Sequence, residues 1–222
     1  MLKIFSIQSL ITAFMFINVV HAAEITGSVK DSNGKPVEFA IITLIGNDIN
    51  NLSPNAEMPA PTMSQERMQF SPFVLPVSVG TTVSFPNKDR IRHHVYSFSK
   101  VKRFELELYG GDAEKSVLFD KAGVVALGCN IHDRMLAFIY IVPSNNFATT
   151  NKDGKIILKN INDGIYKVQV WHPRLKGNVQ NYVQEITVND GETVNMLLSG
   201  LSFEEQPGQY RTRAIGGFSA RL

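Results

Sequence analysis

"GVVALGCNIHDRMLAFIYIV", residues 123–142, places two apolar strands on either side of a short polar loop. In the first strand alternate residues are large and apolar, so Val125, Leu127 and Cys129 share one face. The second, from Met135, is apolar on both faces, as expected of a strand buried on two sides. Between them Cys129, His132 and Met135 follow one another at intervals of three. Fully extended, the six steps from Cys129 to Met135 would span roughly 20 Å at about 3.3 Å each. If the flanking strands are neighbours, the loop must curl, which turns all three side chains toward one spot.

The same period of two runs through the rest of the chain, and no segment sustains the spacing of a long amphipathic helix. In "VEFAIITLI" the expected face is Val37, Phe39, Ile41 and Ile45. In "VLPVSVGTTVSF" it is Leu75, Val77, Val79, Val83 and Phe85, with Gly80 as the bend. Turn signals such as "DSNGKP", "PNKDR", "YGGD", "DKAG", "NKDG" and a repeated "NDG" separate the runs at short intervals. Many short strands with frequent turns predict an all-β chain built as a β-sandwich or small barrel. The polar, proline-punctuated stretch 47–68 reads as a long loop, and the tail from about Phe203 has no period.

The opening "MLKIFSIQSLITAFMFINVVHAAE" has one lysine, a long apolar run and a small-residue exit, as a secretory signal peptide does. Cleavage is expected after Ala22, with Ala23 as the alternative. An uncleaved anchor is the lesser reading, because no stop-transfer pattern follows. Losing Lys3 with the signal takes the formal charge from +2 to +1, which points to neither nucleic acid nor an anionic membrane as a partner. The expected setting is a bacterial periplasm. In such an oxidising compartment cysteines normally pair, and the single Cys129 must pair between chains, sit inert or do chemistry.

The loop's donor types favour chemistry. A metal needs several donors within roughly 2.0 to 2.3 Å of one point. His93 and His94 in "NKDRIRHHVY" offer another donor after a strand and turn. A thiolate, two imidazoles and a weak axial thioether make the trigonal set of a type 1 (blue) copper site. Zinc can use the thiolate and imidazoles but has little use for a thioether. Singly, each residue has an ordinary reading: a buried cysteine or methionine as packing, a histidine as a solvated turn residue. Their joint spacing, with a histidine 36 positions upstream of the cysteine, is what favours a site.

"SPFVLPVSVGTTVSFPNKDRIRHHVYSFS" and "FDKAGVVALGCNIHDRM" together resemble the cupredoxins, and the short Cys-x-x-His-x-x-Met loop is most similar to that of the amicyanin type. The wider stretch, about residues 66–142, resembles periplasmic cupredoxin-like proteins labelled methylamine utilization proteins, although nothing in these residues points to amine metabolism. The resemblance implies a Greek-key β-sandwich holding one type 1 copper ion through His93, Cys129, His132 and Met135. His94 stands where the family has an asparagine, which makes it a neighbour of the ligands, or alternatively a competing ligand. Ile131 replaces the proline expected before the loop histidine. Asn87 is placed to hold the turn beneath His93 through backbone bonds, with a plain Asx turn as the alternative.

The expected organisation is a signal peptide at 1–22, a cupredoxin-like unit at 23–142, a smaller module at 143–200 and a flexible tail at 201–222. Strands within 23–46 can instead pair with the smaller module. "TTNKDGKIILKNINDGIYKVQVWHP" gives that module a resemblance to transthyretin-like or carboxypeptidase regulatory-like sandwiches. Trp171 is expected in its core and His172 at its surface.

The functional expectation is an exported one-electron carrier between redox partner proteins, and not an enzyme. A multicopper oxidase or nitrite reductase needs further copper sites, and four mature histidines, His93, His94, His132 and His172, are too few to build them. Thiol catalysis by Cys129 and His132 lacks an orienting residue and leaves Met135 unexplained. The alternatives are copper binding and delivery by the same site, or a structural β-sandwich whose site is vestigial.

Overall fold

The computed structural model describes residues 23–46, 60–111, 113–175, 183–189 and 194–201. The expected signal peptide, positions 47–59 and the tail beyond Leu201 lie outside the described residues. All regular structure among the described residues is strand, and no helix there is long and apolar enough to cross a membrane.

Nine strands build the first sandwich: β3 (Ser64–Glu66), β4 (Gln69–Ser71), β5 (Val74–Ser78), β6 (Thr81–Ser84), β7 (His93–Ser97), β8 (Phe104–Tyr109), β9 (Ser116–Phe119), β10 (Gly123–Gly128) and β11 (Leu136–Val142). One layer is the sheet β5-β11-β10-β7-β8. The other is the β6–β9 pair, extended by the β3–β4 hairpin. Met63 N donates to Ser84 O at 2.8 Å and Gln65 N to Pro86 O at 2.9 Å, which lays the segment before the hairpin along β6. The stretch expected as loop to 68 therefore contains a strand, because Met63, Ser64 and Gln65 are all buried. Val77, Val83, Phe85, Val125 and Leu127 meet in one core, with Leu75 and Val79 packed against it, as their alternation predicts. Gly80 makes the bend between β5 and β6 at φ 86°, where a side chain would be strained.

The first two strands, β1 (Ala23–Asp31) and β2 (Ile41–Gly46), belong elsewhere. They pair with the C-terminal half: β12 (Phe147–Thr149), β13 (Lys155–Ile161), β14 (Gly164–Trp171), β15 (Val183–Val188) and β16 (Val194–Leu201). β1 lies between β13 and β16, and the second sheet runs β12-β2-β14-β15. The placement of 23–46 within a 23–142 unit is thus corrected to its alternative. The reason is burial: Ile41, Ile42, Thr43 and Leu44 are all at most 1% exposed, which suits a central strand paired on both edges. The expected face Val37, Phe39, Ile41, Ile45 is broken at Phe39, which is left-handed at φ 62°. Val37, Ile42 and Leu44 enter the second core, while Phe39 and Ile41 turn to the seam between the sandwiches.

That seam explains the doubly apolar strand. Ala137, Ile139 and Ile141 of β11 face the first core, whereas Tyr140 and Val142 join Ile41, Val74 and Trp171 in a separate cluster with Phe138 packed against it. Trp171 stacks on Tyr140 with centroids 4.6 Å apart and planes 18° apart. Phe73 meets Phe39 and Phe138 edge-on, each at 5.6 Å. His172 is buried beside this seam and not at the surface, with its Nδ1 accepting from Arg174 N at 3.1 Å.

Candidate metal centre

Strand alternation decides which of the two adjacent histidines faces inward. On β7, His93, Val95 and Ser97 point into the first core and His94 and Tyr96 point out. His94 donates its Nε2–H to Glu105 Oε1 on β8 at 2.7 Å, on the outer face. His93 is completely buried and turns its Nδ1 toward Cys129.

The loop 129–135 closes because its ends are paired: Gly128 sits opposite Leu136 in the β10–β11 ladder. Met135 N donates to His132 O at 2.9 Å, the turn that curls the loop back. Gly128 packs closely, since a Cβ there would lie 2.7 Å from the Tyr96 ring and would have to displace it.

Cys129 Sγ lies 3.9 Å from His93 Nδ1 and 3.8 Å from His132 Nδ1. The three donor atoms all fall within 4.8 Å of one another. Cys129 is buried, His132 is half-buried and the two imidazole rings are 5.0 Å apart. Two donors on one ion at about 2.05 and 2.3 Å are separated by about 3.6 to 3.8 Å for tetrahedral to trigonal angles. The observed spacing therefore matches what a shared ion needs. Met135, 2% exposed, packs in the same core cluster as Cys129.

Around these donors lies a hydrogen-bonded frame. Asn87 Nδ2 donates to Ile91 O at 2.9 Å and Tyr109 O at 3.0 Å, and its Oδ1 accepts from Asp89 N at 2.9 Å. One amide thus ties the loop before His93 to the end of β8. Gln65 Nε2 donates to Tyr109 Oη at 2.6 Å, and Tyr109 donates onward to Phe85 O at 2.6 Å. Burial, with a contribution from the charge of Cys129, pushes the Tyr109 phenol up to about 12 despite the Gln65 bond.

Asp89 went unremarked in the sequence, although it lies four residues before His93. Its Oδ2 accepts from His93 Nε2–H at 2.8 Å and from Met68 N at 2.9 Å, and its Oδ1 from Arg67 N at 2.6 Å. Burial raises the Asp89 carboxyl, but these bonds and the nearby imidazole outweigh it and hold the group below the ordinary carboxylate range. The only sequence signal for it was the "NKDR" turn, and nothing there said which donors the carboxylate would meet.

No family model matches the chain, and no curated protein matches it. Among solved structures, a purple cupredoxin from Nitrosopumilus maritimus is similar at 19% identity and a TM-score of 0.34, over 37% of this chain and 99% of that one. An amicyanin variant in its reduced Cu(I) form gives 20% identity and a TM-score of 0.35, over 47% of this chain and 100% of that one. A copper-containing nitrite reductase from Thermus scotoductus SA-01 gives 24% and 0.37, over 44% of this chain and 27% of that one. Likeness at this level assigns neither family nor function, so the reading of the centre rests on its own side chains.

Proposed function

We propose that the chain binds one copper ion through His93, Cys129 and His132, with Met135 as a weak axial donor, and serves as an exported one-electron carrier in the periplasm. The observation that carries this reading is the pair of separations, 3.8 and 3.9 Å, from one sulfur to two imidazole nitrogens. Copper bound there supplies a Cu(II)/Cu(I) couple. The protein's part is to hold the donors nearly still. His93 is fixed by Asp89, the turn before it by Asn87, and the 129–135 loop by the ladder at its base. Cys129 and Met135 are removed from water, while half-buried His132 lies nearest the surface, where an electron can pass to a partner protein.

Sulfur argues for copper over zinc. Zinc takes a thiolate and two imidazoles but wants a hard or thiolate fourth ligand, and the buried side chain next in the loop is a thioether. On the same reading the smaller sandwich is a transthyretin- or carboxypeptidase-regulatory-like support, which the loose "NKDG" and "VWHP" pattern favours.

Titration of the purified mature protein with Cu(II) tests the proposal: an intense thiolate-to-copper charge-transfer band saturating at one equivalent is expected, and no band sinks it. Met135→Leu should keep the colour and raise the potential, because the axial donor tunes the ion more than it holds it. Rapid loss of Cu(I) to a chelator would instead favour copper delivery.

A further inference from the structure

The completely buried His93 ring has two nitrogens in different surroundings: Nδ1 is 3.9 Å from Cys129 Sγ, and Nε2 is 2.8 Å from the Asp89 carboxylate. We propose that Asp89 is a positioning residue of the metal centre, fixing the His93 tautomer that offers a bare Nδ1 and setting the potential of the bound ion. The potential rests on the copper reading above. The tautomer rests on geometry alone.

An ionised carboxylate only accepts, so the proton of neutral His93 must sit on Nε2. The lone pair of Nδ1 is then left facing Cys129 and His132, which is what coordination requires. Without an acceptor at Nε2 the ring could carry its proton on Nδ1, where it would block the site.

Asp89 is in turn held from the far side. Its oxygens take the backbone N–H groups of Arg67 and Met68, the two central residues of the β3–β4 hairpin. Both are left-handed, at φ 56° and 58°, a conformation that is unfavourable for residues other than glycine. That turn gains its compensation from a charged acceptor. The carboxylate therefore clamps the hairpin and the ligand together, and the backbone N–H of Asp89 donates to Asn87 Oδ1. A negative charge bonded to the far side of the imidazole makes the ring a stronger donor, which favours the more highly charged ion and lowers the potential.

An amide at position 89 has a single acceptor oxygen for three donors and must turn an N–H toward one of them. Asp89→Asn tests the proposal, with Asp89→Glu and Glu105→Gln beside it. In the metal-free protein, long-range proton–nitrogen spectra should show wild-type His93 as one form protonated at Nε2. Asp89→Asn should populate the form protonated at Nδ1, and Asp89→Glu should fall between. Glu105→Gln, which removes the carboxylate of His94 on the outer face, should leave His93 as in wild type.

With copper, Asp89→Asn should keep a charge-transfer band and shift to higher potential. An unchanged tautomer and potential in Asp89→Asn overturn the proposal. So does a wild-type His93 protonated at Nδ1, a result that stands even if the variant fails to fold. If the wild type forms no coloured site, the copper reading falls, and the ring spectra still decide the role of Asp89.

Discussion

The two sandwiches are made alike, from short strands with one face inward, yet they use their buried polar atoms differently. In the second, Thr150 Oγ1 accepts from Ala40 N at 2.8 Å and donates to Val37 O at 2.7 Å, and Ser144 Oγ near the seam donates to Leu44 O at 2.7 Å. These two hydroxyls are consumed in joining one strand or loop to the next, while the buried Thr43 Oγ1 on β2 has no hydrogen-bond partner. In the first, Asn87, Asp89 and the amide nitrogen of Gln65 are likewise consumed, and the frame they build leaves Cys129 Sγ and two imidazole nitrogens converging on one another. A buried donor atom costs stability unless something satisfies it. The difference is that, among the described residues, only the first core gathers three atoms able to hold a metal ion at one point.

The largest expected effect breaks that contrast. Cys129→Ser should abolish the charge-transfer colour completely while leaving the strand content by circular dichroism unchanged. A variant that still colours with Cu(II) would mean that the first core is no more specialised than the second.

Next comes the seam. Trp171→Ala removes the ring stacked on Tyr140 and should cost about 3–5 kcal/mol in urea unfolding. Separate unfolding transitions for the two sandwiches should appear if this contact couples them.

The acid limb of stability should report the second sandwich. Burial, aided by the charge of Arg174 and opposed by a hydrogen bond to the Glu38 backbone, brings His172 down to about 4. The unfolded chain takes up this proton near pH 6.5, and the folded chain refuses it until about pH 4. Stability from this group is therefore intact above about pH 6.5 and is lost as pH falls toward 4, by roughly 3 kcal/mol at most. His172→Gln should flatten the dependence, as measured by urea midpoints across that range.

Smallest is Glu105→Gln at the exposed partner of His94. It should change stability by less than about 1 kcal/mol, as for other solvent-facing ion pairs, and leave the Cu(II) spectrum alone.

Much of this architecture was legible because alternation is a local property. The faces of 74–85 and 123–129 and the two-sided burial of 136–142 follow from side chains pointing alternately up and down. The gathering of donors by the 129–135 loop was legible for a similar reason, since a short connection between paired strands has to curl. What escaped depends on partners distant in sequence. Whether β1 and β2 join the first or second sandwich turns on pairings such as Ile25 with Leu158, which no local pattern encodes. Phe39 broke its expected face because its N–H reaches Thr150 O at 3.1 Å and bends the strand. Asp89 looked like an ordinary turn residue because both groups it joins, a hairpin near 67 and a buried ring at 93, take their places only in the finished fold.

The parallel pairing of β1 with β16 has a consequence for how the chain acquires its shape. Among the described residues β1 is completed by β16, so the sheet containing it stays open until the residues from Val194 onward are present. Such distant closure is slow compared with the nearer pairings of 60–142, because the entropy of a long loop is spent before its contacts form.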